Sequence, residues 1–462
     1  MSVFLSHVAA MLYTTLPAFV SLAVGASAVT DSSRAEGVEA SNDRSPIISV
    51  GERDVQAVVD AAPPHSIVVC DRNHQVVLSQ PVRIRKPLTI RGLNARLPAK
   101  LGRTSLVIVQ SEGVVVSDFE LHGNGDTVPQ DRRAALLAIE AGDFCVERGA
   151  FYNSSKDGIL IDGGALVGND LTGGVVRDVV GRVIRRDLVS VGGSGSEGHR
   201  VRSVLIDNVR CYGSQYRGAV EVSDGSDRIT VRTVYAEGCV YAVDVQDHKH
   251  PGQVNTNVFI QDVHARDCTH AIRTANHPLG HANLTIRDVI AERCAAPLQI
   301  RNTDNVVLHN VTILDHASPR PPISLSNCDG LSLRDLTIKG GNYRGPGVMV
   351  EDCDGALVDG ITLQGRAGSP SSALCYRITT DEAFSGLRIS NVFAPRAGPA
   401  GILLDRQGGR GALTDYVILG NVARVVDRIQ GPRGVIANNT HPDLNDQPPI
   451  VPAPAASEKP IR

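Results

Sequence analysis

The sequence of 462 residues contains no tryptophan, and only 4% of its residues are aromatic. Its net charge of −3 gives no overall basic surface of the kind that binds nucleic acid. The nine cysteines include no C-x-x-C pair, so the usual zinc-ligand spacing is absent. What the sequence does have is 45 glycines and recurring valine and isoleucine, a composition that favours many short strands separated by turns.

The N-terminal segment is apolar from Val8 to Ala28 and ends in Ala26-Ser27-Ala28. This pattern predicts a secretory signal peptide, residues 1–28, and a secreted or periplasmic protein. No lysine or arginine precedes the apolar run, and an uncleaved membrane anchor is the alternative interpretation. We expect a flexible leader at residues 29–48 and a disordered, proline-rich tail at residues 441–462.

Residues 49–440 contain a repeat that becomes visible when strand pairs are aligned. LQIRNTDNVVLHNVTI (298–313) is followed by ISLSNCDGLSLRDLTI (323–338) and VMVEDCDGALVDGITL (348–363). Each unit is an alternating strand, a short turn and a second alternating strand. About ten such coils extend between residues 106 and 422, with a repeat of roughly 22–30 residues.

Period-two alternation predicts one inward and one outward row of side chains in each coil. One coil cannot bury its own apolar face, but stacked coils can. We expect inward ladders, and we expect the aligned cysteines to be small buried residues rather than reactive ones. The inward residues are Val220, Val222, Val243, Val245, Ile272, Leu298 and Ile300, and the aligned cysteines are Cys239, Cys268 and Cys294, with Cys328 and Cys353 at a second position.

The start of the repeat carries a short amphipathic segment. Residues 54–62 place Val55, Val58 and Val59 on one face of a predicted helix that would cap the first coil. This helix and the PVRIRKPLTIRG segment after it resemble the opening of right-handed parallel β-helix proteins of the pectate-lyase-like superfamily. The resemblance implies an all-β, right-handed solenoid and a polysaccharide lyase or glycoside hydrolase activity, but no specific family.

Four coils have long turns after their first strand, at 162–174, 192–202, 246–257 and 275–283. Equivalent turns of stacked coils lie side by side, so these turns predict a raised edge where solenoids commonly bind ligands. The candidate substrate-binding residues at or beside this edge are His199, Asp247, His250, Asn276, His277, His281 and Arg301.

Alternation also aligns one outward column: Leu160, Ser190, Glu221, Asp244, Arg273 and Gln299. The structural interpretation of Glu221, Asp244 and Arg273 is a charge ladder on an exposed sheet. The catalytic interpretation is that two adjacent carboxylates do not ionise independently, which suits a glycosidase pair.

A β-eliminating lyase is the other catalytic possibility. Glu221, Asp244 and Asp224 could hold Ca²⁺, the only cofactor suggested, and the ion would neutralise a uronate carboxylate. Arg273, Lys249 or a histidine such as His248 would then abstract a proton. Lys249 lies between His248 and His250, and neighbouring cations lower a lysine pKa.

The predicted function is therefore an exported carbohydrate-active enzyme that cleaves a polysaccharide by glycosidic hydrolysis or β-elimination. The alternative is a non-catalytic β-helix at the cell surface or envelope that binds glycan. The scarcity of aromatic residues counts against a glycan partner, because sugar rings commonly stack on aromatic faces.

Overall fold

The computed structural model describes residues 45–96, 104–128, 134–163, 170–193, 198–248, 254–275, 280–364, 372–394, 397 and 400–440. The predicted signal peptide and the C-terminal tail lie outside these residues, as does the leader up to residue 44. No helix within the described ranges is long and apolar enough to cross a membrane.

Strands dominate the described chain. In order along the chain, its elements are β1 (Ile47–Ser49), α1 (Val55–Ala61), β2 (Ile67–Val69), β3 (Val76–Val77), β4 (Val82–Ile84), β5 (Thr89–Arg91), β6 (Asn94–Arg96), β7 (Val107–Val109), β8 (Val115–Ser117), β9 (Glu120–His122), a 3-10 turn (Gly125–Thr127), β10 (Leu137–Ile139), β11 (Phe144–Ser154), β12 (Ile159–Asp162), β13 (Leu171–Ile184), β14 (Val189–Gly192), β15 (Val201–Ser214), β16 (Gly218–Ser223), β17 (Asp227–Glu237), β18 (Tyr241–Gln246), β19 (Thr256–Arg266), β20 (His270–Thr274), β21 (His281–Glu292), β22 (Leu298–Arg301), β23 (Thr303–Leu314), β24 (Ile323–Ser326), β25 (Ser332–Lys339), β26 (Val348–Glu351), β27 (Leu357–Gln364), β28 (Leu374–Ile378), β29 (Phe384–Ser385), β30 (Arg388–Phe393), β31 (Ile402–Arg406), β32 (Leu413–Thr414), β33 (Val417–Leu419), β34 (Val425–Asp427) and β35 (Val435–Ala437).

All pairings between these strands are parallel, and they join equivalent strands of successive coils. The short-strand sheet has 14 strands in the order β4, β7, β10, β12, β14, β16, β18, β20, β22, β24, β26, β28, β31 and β34. The long-strand sheet has 19 strands and contains the 11- to 14-residue strands from β11 to β23. A small third sheet pairs β29 with β32. The fold is a parallel β-solenoid of about 12 turns, against the ten or so expected from the sequence.

The coil containing β28 and β30 is one that the sequence repeat did not reveal. It carries the expected inward residues on β28, such as Leu374 and Tyr376, both fully buried. The connection from β28 to β30 includes β29 and is longer than the turns of the two coils immediately before it. That length obscures the repeat, because the second strand no longer aligns.

The solenoid core consists of the inward rows that alternation predicts. Every predicted inward residue, from Val220 to Ile300, is at most 1% exposed. Burying one such aliphatic side chain contributes roughly 1.5–3 kcal/mol, and the rows repeat this along the axis. The predicted cysteine columns are confirmed as buried free thiols, with Cys211 packed 3.8 Å from the Cys239 sulfur.

Each long strand bends at corners where one residue adopts a left-handed backbone. Asn257, Asn283 and Asn305 occupy one corner in three successive coils at φ of 54–59°, and Gly330 follows at 68°. Asparagine and glycine tolerate this region better than other residues do. The asparagines also donate to one another along the axis, at 3.0 and 3.1 Å, which links the corners of adjacent coils.

The predicted capping helix is confirmed as α1. Asp54 is its N-cap, and the Asp54 carboxylate accepts a hydrogen bond from the Ala57 backbone N–H at 2.9 Å. Val55, Val58 and Val59 are buried as the pattern required. Gln56 donates to the Arg83 carbonyl of β4 at 3.2 Å, so the helix is tied to the first strand of the short-strand sheet.

Candidate functional site

The outward column predicted from alternation is present in the short-strand sheet. Strand pairing places Leu160 beside Ser190, Ser190 beside Glu221, and Glu221 beside Asp244. Arg273 and Gln299 continue the same column on the next two strands. Neighbouring strands lie about 4.8 Å apart, so Glu221 and Asp244 are adjacent at the backbone.

The carboxylates of this column are not on an exposed sheet, which corrects one interpretation of the sequence. Glu221 is 1% exposed and Asp244 is fully buried. The Ser190 hydroxyl donates to Glu221 Oε2 at 2.7 Å, and the Gln246 amide and the Arg217 guanidinium both donate to Oε1. Burial is tolerated here because the carboxylate oxygens of Glu221 are satisfied by hydrogen bonds and by positive charge.

Asp244 is paired with Arg273 of the next coil. The guanidinium Nε and Nη2 donate to the two carboxylate oxygens at 2.9 and 2.8 Å. The Arg273 guanidinium also lies 4.8 Å from the centre of the Tyr241 ring. Burial raises the pKa of Asp244, and Arg273 opposes that shift. Burial would lower the pKa of Arg273, but the bonds and charge of Asp244 raise it, so Arg273 is poorly suited to act as a base.

Two further buried carboxylates belong to the same place, and sequence reasoning missed both. Asp157 and Asp187 immediately precede β12 and β14 and are fully buried. The Asp187 backbone N–H donates to Asp157 Oδ1 at 3.2 Å, and the Tyr241 hydroxyl donates to Asp187 Oδ1 at 2.7 Å. Tyr241 pairs with Gly218 on the intervening strand, where a Cβ would come within 2.3 Å of the tyrosine ring.

Asp187 has an unusual protonation equilibrium. Burial, reinforced by the nearby Asp157 carboxylate, raises the pKa of Asp187 to about 7. The charges of Arg217 and Arg186 and the Tyr241 hydrogen bond only partly oppose this shift. A carboxyl group with this pKa changes its protonation state near neutral pH.

Four cations surround the four carboxylates. Arg186 and Arg217 both lie within 4.0 Å of Asp187 and of Glu221, and Lys156 lies 3.9 Å from Asp157. We call the eight residues the buried-carboxylate cluster: Asp157, Asp187, Glu221, Asp244, Lys156, Arg186, Arg217 and Arg273.

The two charge types of this cluster differ in their access to solvent. The carboxylate side chains are at most 2% exposed, whereas the four cationic side chains are 24–31% exposed. The carboxylates therefore hold the cations in place, and the cations form the part that solvent reaches. When Asp187 is protonated, positive charge exceeds negative charge by one in the cluster.

His248 lies at the margin of the cluster. Its Nδ1 is 2.7 and 2.9 Å from the two oxygens of Asp224, and half of its side chain is exposed. The hydrogen bond to Asp224 raises the pKa of His248, while burial and the nearby Arg217 and Arg186 charges oppose it. His248 is thus an accessible acid–base group beside accessible guanidinium groups.

The other described candidates occupy different surroundings. Asp247 and His281 are both buried, with Asp247 Oδ2 3.8 Å from His281 Nε2. Asn255 donates to the Gln246 carbonyl at 2.7 Å and its backbone N–H faces His281 Nδ1 at 3.3 Å. This favours support of the turn after β18 over direct contact with substrate.

Arg301 and His199 lie nearer the sheet edge. The Arg301 backbone N–H donates to the Thr274 hydroxyl at 2.7 Å, and the side chain is half-buried at the end of β22. His199 lies two residues before β15 and is half-buried. Four candidates lie outside the described residues, together with the middle part of each turn of the predicted raised edge: Lys249, His250, Asn276 and His277.

The hypothesised Ca²⁺ site is not supported by the donor set. Among the described residues, no group of three His, Cys, Asp or Glu side chains is placed to hold a metal ion. The oxygens of Glu221 and Asp244 already accept hydrogen bonds from Arg217 and Arg273, and Asp224 faces His248. We therefore do not carry the metal interpretation forward.

A sequence signal for the missed residues does exist. Lys156-Asp157 and Arg186-Asp187 are basic–acidic pairs at the same position of successive coils, and Arg217 takes the basic place in the third. The alternation pattern covers only residues within strands. These residues precede the strands, so the pattern did not identify them. Alignment of the turns as well as the strands would have revealed them.

Comparisons with known proteins identify no family. The sequence matches no protein-family model, and no curated protein matches it significantly. Among solved structures, it is similar to the pre-mature gene product 12 of bacteriophage phi29, with 14% identity and a TM-score of 0.51. The match covers 82% of this chain and 52% of that one, so this chain spans about half of its length.

Two further solved structures are similar to this chain. The N-terminal fragment of phi29 gene product 12 matches at 15% identity and a TM-score of 0.51, over 78% of this chain and 68% of that one. The family 28 exopolygalacturonase of Yersinia enterocolitica matches at 10% identity and a TM-score of 0.41, over 84% and 79%. The parallel solenoid expected from the sequence is confirmed by the strand pairings of the structure itself, and the phi29 matches are likenesses of fold alone.

Proposed function

We propose that this protein binds an acidic polysaccharide along the outer face of the short-strand sheet and cleaves it by β-elimination. The observation that carries the proposal is the buried-carboxylate cluster, in which three partly exposed arginine side chains rest on buried carboxylates beside His248. Guanidinium groups are well suited to bind carboxylates, and a neighbouring histidine can exchange a proton. An extracellular polymer as substrate agrees with the predicted signal peptide.

Each group has a defined part in this reaction. Arg217, Arg186 and Arg273 bind the uronate carboxylate, and their positive charge stabilises the enolate that forms when the α proton leaves. His248 accepts that proton, and Asp224 stabilises the resulting imidazolium. The electron pair then forms a double bond between the α and β carbons, and the glycosidic oxygen on the β carbon departs and takes a proton from water.

Elimination fits the geometry better than glycosidic hydrolysis does. Hydrolysis requires one carboxylic acid that reaches the glycosidic oxygen and a second carboxylate that acts on the sugar or on water. Glu221 and Asp244 are held by Arg217, Gln246 and Arg273, and both side chains are at most 2% exposed. The groups that a substrate can contact are the cations and His248.

The direct test is incubation of the purified chain with a panel of polyuronates and acidic heteropolysaccharides, with and without EDTA. The expected product is a chain end bearing an unsaturated uronate, which absorbs in the ultraviolet. New reducing ends without this absorbance would replace elimination with hydrolysis. An activity that EDTA abolishes would contradict a reaction supported by arginine and histidine alone.

Three variants separate the proposed role of the base from that of the anion-binding arginines. His248→Gln should abolish turnover and retain binding, because it removes the base but not the anion site. Arg217→Ala should weaken binding of the acidic polymer. Arg232→Ala is the matched control. Arg232 lies in the same coil as Arg217 but on the long-strand sheet, where it pairs with Asp207 of the preceding coil. Equal losses in Arg217→Ala and Arg232→Ala would show that the cluster has no special role.

Binding of glycan without turnover is the second candidate function. The observation that favours it is the complete engagement of Glu221 and Asp244 by neighbouring side chains. This candidate predicts tight binding of an acidic polymer with no product under any condition, and equal binding by the wild type and His248→Gln.

A further inference from the structure

A groove lies on the same face as the buried-carboxylate cluster, towards the N-terminus. The outward column continues in that direction through Leu160, Ala138, Ile108 and Arg83, each paired with the next. Above these strands is a groove with a volume of about 670 Å³. None of its lining residues has a part in the proposed reaction, although Lys156, which lines it, belongs to the cluster.

The groove has an apolar floor and polar walls. Ala138 lies between Ile108 and Leu160, and its small side chain leaves the sheet surface concave at that point. In the wall, Gln110 donates to Glu140 Oε2 at 2.8 Å, and Glu140 is only 7% exposed. A pyranose ring has this same division, with an apolar face and hydrogen-bonding groups at its edge.

The groove is continuous with the cluster. Lys156 lines the groove, and its Nζ lies 3.9 Å from Asp157 Oδ2. Leu160 pairs directly with Ser190, whose hydroxyl donates to Glu221. Ala138 is three strands from Glu221, which corresponds to roughly 14 Å along the axis. One extended polymer can therefore occupy both places.

The groove and the buried-carboxylate cluster differ in charge. The groove is lined by two cations, Arg83 and Lys156, and by the carboxylates of Glu112, Glu140 and Asp170. Asp170 is paired with an arginine outside the lining at 3.0 Å, and Lys156 lies 3.9 Å from Asp157, which is also outside it. Two carboxylates, Glu112 and Glu140, then remain against one cation, Arg83. The groove thus has no positive excess to bind a uronate, whereas the accessible part of the cluster is entirely cationic.

We infer that the groove is a binding site for neutral sugar units, so that the substrate is an acidic heteropolysaccharide in which neutral sugars adjoin each uronate, rather than a homopolymer of uronic acid. This inference rests on the proposed function of the cluster as the uronate site. A homopolyuronate would place a carboxylate in the groove beside Glu112 and Glu140, where like charges oppose binding.

The test compares binding of two polymers to the full chain carrying His248→Gln, so that turnover does not interfere. The probes are gellan, in which glucuronate is flanked by neutral sugars, and polygalacturonate. We expect gellan to bind more tightly, by about tenfold. Ala138→Phe, which fills the floor of the groove, should remove that advantage and leave polygalacturonate binding unchanged.

Ser324→Phe is the matched control, because Ser324 occupies the same outward column on the opposite side of the cluster. If the phenylalanine variant does not fold, Ala138→Leu replaces it in the same binding measurement. Equal binding of both polymers, or an equal loss in the Ser324 variant, would overturn the inference, and so would binding of neither polymer. A different result would show that the cluster is not the uronate site. In that case Arg217→Ala would weaken binding of neither polymer, while Ala138→Phe could still weaken binding of gellan alone.

Discussion

The outward column of the short-strand sheet has two parts that share one backbone geometry and differ in chemistry. Between β14 and β20 it presents Ser190, Glu221, Asp244 and Arg273. In the C-terminal coils the same column contains no charged residue and continues as Ser324, Met349, Cys375, Leu403 and Val426. The comparison teaches that the solenoid itself requires no charge at this position.

The charged part of the column destabilises the fold, because its carboxylates are buried. Four carboxylates with little or no exposure are held near β12 to β18, and each requires cations or hydrogen-bond donors. Replacing a whole buried ion pair with well-packed apolar residues is often neutral or stabilising. We therefore interpret the cluster as a functional feature that the fold accommodates.

The largest expected effect is on stability, from Asp244→Ala. It leaves the largely buried Arg273 guanidinium without its carboxylate and should lower the free energy of unfolding by about 2–3 kcal/mol. Ser324→Ala in the same column should change it by less than about 0.5 kcal/mol. Denaturant unfolding followed by circular dichroism measures both. The double variant Asp244→Ala/Arg273→Ala should recover part of the loss, and no recovery would contradict the buried-pair explanation.

The second-largest expected effect is a pH dependence of the unfolding free energy that arises from Asp187. Its pKa is about 7 in the folded protein and near 3.8 when unperturbed, so between these values the folded state binds more protons than the unfolded state. Its contribution to stability therefore falls as pH rises from about 4 to about 7 and changes little outside that window. Asp187→Asn should remove this component from the unfolding free energy, measured as the difference from wild type at each pH.

The control for Asp187 comes from the C-terminal coils. Asp405 lies 3.6 Å from both Arg377 and Arg428, so it is also a carboxylate among arginines. Asp405→Asn should retain the decline between pH 4 and 7, because Asp187 remains in place. Loss of the decline in both variants would mean that it does not originate in the cluster.

A smaller effect concerns a corner of the solenoid. Val183 adopts φ of 56°, a region that β-branched residues strongly disfavour, while Gly213, Gly238 and Gly340 occupy the same corner in other coils. Val183→Gly should raise the free energy of unfolding by about 1 kcal/mol. Gly340→Val should lower it by at least as much, since a Cβ there would come within 2.4 Å of Asp315. Thermal unfolding of the two variants tests the opposite signs.

The smallest effect is a shift in the pH profile of activity. Asp224 raises the pKa of His248, so Asp224→Asn should lower that pKa. The base form of His248 then persists to lower pH, and the acidic limb of the profile should move to lower pH. Asp335→Asn is the control, because it removes the partner of His309, 3.1 Å away, on the long-strand sheet. An unchanged limb in Asp224→Asn would exclude His248 as the base.

Sequence reasoning was most successful where the repeat is strict. The capping helix, the inward rows and the outward register from Leu160 to Gln299 were all predicted, because alternation and coil stacking are local rules. It was less successful where connections vary in length. The coil of β28 and β30 was missed, and Asp157 and Asp187 were missed because they precede the strands.

The solenoid, its core and the order of outward residues are therefore encoded locally in the sequence, since each follows from a period of two within strands and a repeat between coils. The environment of those outward residues arises from the tertiary structure. It buried Glu221 and Asp244, placed Arg186 and Arg217 beside Glu221, and placed His248 beside Asp224. Apart from the Arg217–Glu221 pair, which spans four residues, these pairs join residues 35 and 24 positions apart in the chain, and no local pattern encodes them.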